Sequence, residues 1–184
     1  HQPIPPYLAQ QFLCLDDFEP AARAMLPRPI FEYIAGAAET NQSLSNNRRA
    51  YERYSFVTRV MVDVSRRTTT VRLFDDEWAP PFGLAPMGLS ALSAYRGDIV
   101  LAQAAQEAGI PMVMSGSSLI RLEEVAQAAP RTWFQAYLPG QMKQISELLV
   151  RVRHAGFKTL VITADTPVAA NRENNIRAGF STPL

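Results

Sequence analysis

From residue 81 onward the chain alternates between two hydrophobic periods. Short apolar runs bounded by turn residues read as strands: Phe82 to Pro86, Pro111 to Met114, Thr132 to Leu138 and Thr159 to Ala164. Between them lie stretches of helical period. These are Ile99 to Ala108, with Asp98 as its cap and Gly109 as its stop, then Leu122 to Ala129, then Gln141 to His154 ended by Gly156. Strands and helices alternating at this spacing predict a parallel sheet of βα units. The residues after Asp165 show no clear period.

The earlier part is patterned differently. Residues 1–13 hold three prolines and read as a loose lead-in. Asp16 and Asp17 stand before Phe18, Ala21, Ala22, Met25 and Leu26, which predicts an N-capped amphipathic helix ended by Pro27. Pro29 can open a second helix, Ile30 to about Ala38, carrying Phe31, Tyr33 and Ile34. A third, polar and Arg-rich, is expected from about Asn41 to Tyr54. Val57, Val60, Met61 and Val62 suggest extended structure, and Thr68 to Leu73 a β-branched strand. Asp75, Asp76 and Glu77 read as a turn before another extended stretch at Trp78.

Composition narrows the function. The chain has 184 residues, a net charge of +1 and 47% hydrophobic residues, which argues for a globular protein and against disorder. No run approaches the ~18 apolar residues of a membrane helix. Near-balanced charge gives no basic stripe for nucleic acid. A lone cysteine, Cys14, excludes a disulfide framework within the chain and favours a reducing compartment. The sequence opens on His1, so the native start is expected elsewhere.

Two α/β architectures fit: an open doubly wound sheet, or part of a (β/α)8 TIM barrel. No strand is followed by the glycine-rich dinucleotide fingerprint, which weakens a nicotinamide enzyme. A complete barrel needs ~250 residues, so the barrel reading makes this chain a half. In both, function gathers at the carboxyl ends of the strands. Those ends carry Ala85-Pro86-Met87-Gly88, then Ser115 to Ser118, then Gln135 and Tyr137, then Thr163, Asp165 and Thr166, with Arg172 beyond. Taken singly, Thr163 suits an ordinary strand, Asp165 a turn, Tyr33 a helix face and Arg172 solvent; Gln135 on an apolar strand needs a buried partner. Jointly they form a rim of amide, hydroxyl and phenol groups suited to a flat heterocycle. Metal ligands are lacking, since the histidines are His1 and His154 and no carboxylates cluster.

These residues resemble the FMN-dependent 2-hydroxy acid oxidoreductases, the family of glycolate oxidase, lactate oxidase, flavin L-lactate dehydrogenase and mandelate dehydrogenase. The runs that carry the resemblance are Leu26-Pro27 through Tyr33 to Ala38-Glu39, Asn46-Asn47-Arg48, Leu84-Ala85-Pro86, Trp133 to Tyr137, Thr163 to Pro167, and Asn171-Arg172-Glu173. It implies a TIM barrel of which this chain is the N-terminal half of one FMN-dependent domain. Residues 1–56 would be a helical lead-in, 57–80 a β-rich cap of the barrel bottom, and 81–184 the first four βα units with the start of mobile loop 4.

The resemblance further implies FMN as cofactor, held by Ala85, Pro86, Met87, Gly88, Ser115, Gln135, Tyr137 and Thr163. Tyr33, Tyr137 and Arg172 would bind the substrate. Tyr137 and Asp165 would be catalytic, Asp165 by orienting the base histidine, whose imidazolium a carboxylate favours. The implied reaction is oxidation of an L-2-hydroxy acid to the 2-oxo acid, with hydride passing to flavin N5. That histidine belongs to the missing C-terminal half; His154, at the far end of its helix, cannot replace it. The partner expected is therefore that half, as a second chain after a break in loop 4, in a protein that is tetrameric. The location expected is cytoplasmic or peripheral to the inner face of the cell membrane. Three departures stand out. Ala94-Tyr95-Arg96-Gly97-Asp98 replaces His-Pro-Glu-Gly-Glu, Gly88 stands where several oxidases have alanine, and Gly116 replaces a serine. Alternatives are a catalytically incompetent half-barrel that binds FMN or an acid, and another FMN barrel enzyme related to isopentenyl-diphosphate isomerase.

Overall fold

Proline placement decides how much of the first predicted strand can pair. In the computed structural model, which describes residues 5–138, 140–166 and 168–181, the sheet strands are shorter than their apolar runs. They are β3 (Val113–Met114), β4 (Trp133–Ala136) and β5 (Leu160–Ile162), all parallel and in the order β3-β4-β5. The predicted first strand, 82–86, contributes only a parallel bridge between Leu84 and Met112. Leu84 N donates to Pro111 O at 2.9 Å, and Val113 N to Leu84 O at 3.0 Å. Pro81, Pro86 and Pro111 have no N–H to extend that ladder. Gly83 is pressed against the next segment, where a Cβ would lie 2.5 Å from Pro111 O.

Each parallel neighbour follows its predecessor in sequence, and between them run α5 (Gly97–Ala108), α6 (Leu122–Ala128) and α7 (Met142–His154). A doubly wound sheet reverses strand order at a switch point; a barrel does not. The sequential order is that of a barrel. The main core lies between this sheet and its helices. Met112, Met114, Phe134 and Ala136 face Ile99, Ala102 and Ala105 of α5, Leu122, Val125 and Ala126 of α6, and Val152 of α7. Each fully buried large apolar side chain there stabilises by ~1.5–3 kcal/mol.

The described residues form two compact units, 64–166 and 5–63 with 168–181. In the first, β1 (Val71–Leu73) and β2 (Asp76–Trp78) make an antiparallel hairpin. Its turn is Phe74-Asp75, not the predicted Asp75 to Glu77: Asp76 and Glu77 pair with Leu73 and Arg72, while Phe74 takes a positive φ of 55°. Trp78 is buried edge-on to Trp133, and the Arg131 guanidinium stacks 3.9 Å above the Trp78 ring.

In the second unit, α1 (Pro6–Gln11), α2 (Phe18–Met25), α3 (Arg28–Ala35), α4 (Gln42–Tyr51) and α8 (Glu173–Ala178) are helical. Asp17 does not cap α2. Its carboxylate accepts from Leu13 N at 2.7 Å and Cys14 N at 3.0 Å, closing the 3-10 turn Leu15–Asp17. The Cys14 and Leu13 amides hold that carboxyl below its usual range. The predicted extended segment 57–62 forms no strand, and Val57, Val60 and Met61 stand exposed.

Candidate functional site

Strand alternation sorts the parallel sheet into two faces. Phe134 and Ala136 point at the helices, so Trp133, Gln135 and Tyr137 point to the opposite face. On that face the lower part is apolar. Val71, Leu73, Trp78, Leu84, Val113 and Trp133 line a hollow of about 390 Å³. Toward the carboxyl ends it turns polar.

Gln135 is the centre of the polar part. It is 1% exposed, and both ends of its amide are hydrogen-bonded. Its Oε1 accepts from Gly116 N at 3.0 Å and from Ser115 Oγ at 3.3 Å, while its Nε2 donates to Thr163 Oγ1 at 2.9 Å. Ser115 is buried, and its Oγ also accepts from Ser117 N at 3.1 Å. Thr163 follows β5 directly, and its N–H donates to Ala136 O at 3.1 Å. Three strand ends are thus tied by one amide and two hydroxyls. Gly116 allows the approach, since a Cβ there would lie 2.7 Å from Gln135 O.

Ala85, Pro86 and Met87 are exposed, and Gly88 is half-buried. The next residue, Leu89, is buried with a φ of +58°, and its N–H donates to Ser117 O at 3.2 Å. The 85–89 loop therefore lies beside the 115–118 loop. Tyr137 is 51% exposed, one residue past β4, and Asp165 is exposed, three past β5. All of these belong to one unit.

Tyr33 and Arg172 belong to the other, where they meet each other. Arg172 Nη2 donates to Tyr33 O at 2.6 Å and Gly36 O at 3.1 Å, and the guanidinium lies 4.8 Å above the Tyr33 ring. Phe180 stacks on Tyr33 at 4.4 Å. Asn41, in the left-handed region (φ 61°), fixes the start of α4. Its Oδ1 accepts from Ala37 N and from Asn174 Nδ2 of α8. Helix α8 is absent from the sequence reading. Its six residues are too few to show a period.

Asp98 is the other residue that sequence reasoning placed wrongly. It is not the cap of α5: Arg96 precedes the helix in the left-handed region, and Asp98 sits within the first turn, 1% exposed. Its Oδ2 accepts from Ser90 Oγ at 2.6 Å and Ser118 Oγ at 2.7 Å. A signal was present. Asp98 falls four and seven residues before Ala102 and Ala105, on the buried stripe of α5. Among the described residues no group of three or more potential metal ligands occurs.

The chain's relatives fit this picture. Residues 22–184 match the family model of the FMN-dependent dehydrogenases. The chain is 36% identical to 4-hydroxymandelate oxidase of Amycolatopsis orientalis, over 94% of this chain and 48% of that one. It is also 36% identical to L-lactate oxidase of Lysinibacillus sphaericus, over 92% and 44%. A crystal structure of mandelate oxidase superposes with a TM-score of 0.88 at 35% identity, covering 94% of this chain and 50% of that one. The chain spans about half the length of the curated relatives it matches, and its sheet is the N-terminal portion of their TIM barrel. It belongs to the FMN-dependent dehydrogenase family.

Proposed function

We propose that the full-length protein carrying this chain oxidises an L-2-hydroxy acid to the 2-oxo acid with FMN. The observation that carries this reading is the Ser115–Gln135–Thr163 network at the carboxyl ends of three adjacent parallel strands.

The donor set fits FMN. One N–H of the Gln135 amide is spent on Thr163, and the amide has a second. The Ser115 and Thr163 hydroxyls both donate and accept. Such groups match the alternating carbonyl and N–H pattern along the pyrimidine edge of a flavin, with Ala85 to Gly88 and Tyr137 beside it. FMN supplies the two-electron acceptor when bound; the protein supplies position and charge. In this reading the Tyr137 hydroxyl points at the substrate oxygen and donates a hydrogen bond to it, keeping its proton, and Tyr33 and Arg172 hold the substrate carboxylate. Asp165 orients the base histidine, which the C-terminal half contributes. Residues 1–184 are then the N-terminal half of one barrel domain, and the assembly is a tetramer. No helix among the described residues is long and apolar enough to cross a membrane.

The test is an absorption spectrum of the full-length protein before and after anaerobic addition of lactate, glycolate and mandelate. Flavin bands that bleach with one acid are expected. Flavin that no acid bleaches would favour a binding protein, and purified protein with no flavin would overturn the reading.

A further inference from the structure

We propose that Asp98 is a positioning residue that clasps the loop after the first strand to the loop after the second, so that Pro86–Gly88 and Ser115 keep a fixed separation. The inference rests on the proposed function for its consequence in catalysis, but not for its geometry.

The 1%-exposed Asp98 carboxylate takes a hydroxyl from each loop on one oxygen, Ser90 Oγ at 2.6 Å and Ser118 Oγ at 2.7 Å. Each donor is itself tied to its own loop. Ser90 O accepts from Ser93 N and from Ser93 Oγ, and Ser118 Oγ accepts from Ile120 N at 3.0 Å. The backbone adds one further link, Leu89 N to Ser117 O at 3.2 Å.

The site is built tightly. A Cβ on Gly97 would lie 2.7 Å from Ser90 O, so only glycine lets the start of α5 come this close. Leu89, a non-glycine residue, is held at φ +58° immediately after Gly88. Its N–H bond to Ser117 O on one side and the Asp98-bound Ser90 next to it on the other hold that residue between the two loops. A helix start needs no side chain that reaches two separate loops. The second loop then runs through Ser118 N to Ser115 O at 3.1 Å, and Ser115 joins Gln135 and Thr163. Asp98 thus connects the 85–89 loop to the polar network of the other three strand ends. It touches neither flavin nor substrate in this scheme; it acts through the loops.

The test uses Ser118→Ala, Ser90→Ala, Asp98→Asn and Asp98→Ala in the full-length protein, with two readouts. The first is amide hydrogen exchange of the flavin-free protein. Ser118→Ala removes a donor from one loop only, yet exchange is expected to rise about tenfold in both 85–93 and 115–118, the effect of one lost hydrogen bond, and to stay unchanged in α7. The second is flavin reduction by the hydroxy acid that bleaches the wild type. Asp98→Ala is expected to slow it by about 10- to 100-fold, the range of a ~1 Å misplacement, with KM nearly unchanged. Asp98→Asn, whose carbonyl oxygen still accepts both hydroxyls, is expected to recover most of the rate. If Asp98→Ala does not fold, Ser90→Ala and Ser118→Ala carry the kinetic test. Exchange that rises only in the loop bearing the substitution overturns the clasp, as does unchanged reduction in both serine variants. A wild-type flavin that no acid bleaches overturns the activity reading alone, and the exchange result then decides the clasp.

Discussion

Replacing Gln135 with leucine tests the central network, because leucine nearly conserves volume and removes every hydrogen bond. Three bonds go: Gly116 N–H and Ser115 Oγ–H lose their acceptor, and Thr163 Oγ1 loses its donor. The Ser115 hydroxyl can rotate, and Thr163 faces the open rim, so their losses approach the ordinary net value of ~1 kcal/mol each. The Gly116 N–H has no such freedom and carries an unsatisfied-donor penalty of ~1–3 kcal/mol. Added apolar burial offsets part of this. A net destabilisation of about 2–4 kcal/mol is expected, read from urea unfolding of the flavin-free full-length protein. The network also makes a sharper claim. Gln135→Leu and Thr163→Val both delete the same 2.9 Å bond, so their effects should fall short of additivity by about 1 kcal/mol. A Gln135→Leu effect below about 0.5 kcal/mol, or strict additivity with Thr163→Val, would refute the reasoning.

Two further outcomes are expected. Arg151 donates to both carboxylate oxygens of Glu123, at 2.7 and 3.0 Å, and this bonding lowers Glu123 from 4.5 to about 2. A depressed carboxyl adds stability above its unfolded value and loses it as pH falls toward the folded one. Wild-type Tm should therefore exceed that of Glu123→Gln above pH 4.5, and the two curves should converge by about pH 2; parallel curves throughout would contradict the pairing. Arg172→Lys keeps the charge but loses the planar guanidinium, whose Nη2 donates to both the Tyr33 and Gly36 carbonyls and whose face lies over the Tyr33 ring. In steady-state assays kcat/KM for the hydroxy acid should drop by roughly 10- to 150-fold, the equivalent of a charged hydrogen bond of ~1.5–3 kcal/mol, mainly through KM; a change under about twofold would argue against a carboxylate contact.

Much of this was legible because local rules and tertiary demands agree. Gly109 stops α5 at φ +68°, as a C-terminal glycine should. The buried Gln135 betrayed itself, since an amide on an apolar strand must find partners, and it has three. What stayed hidden depends on distant residues. Residues 57–62 have the composition of a strand, but a strand needs a ladder partner and they have none among the described residues. The six residues of α8 are set by Asn174 reaching Asn41, a contact no local pattern contains. Asp98 looked like a cap because Asp before an apolar helix usually is one. Its burial follows from two serines 8 and 20 residues away.

The sequential sheet has a consequence for synthesis. Among the described residues β5 pairs only with β4, and Ile162 on it is 53% exposed, so one parallel edge stands open. An edge of this kind templates pairing with other chains. Ribosomes add ~5–20 residues per second, so a remainder about as long as this chain would take roughly 10 to 40 seconds to emerge. Throughout that interval the nascent protein would present an unclosed sheet. For the full-length protein proposed above, the yield is then expected to depend on chaperones and on elongation rate as well as on final stability.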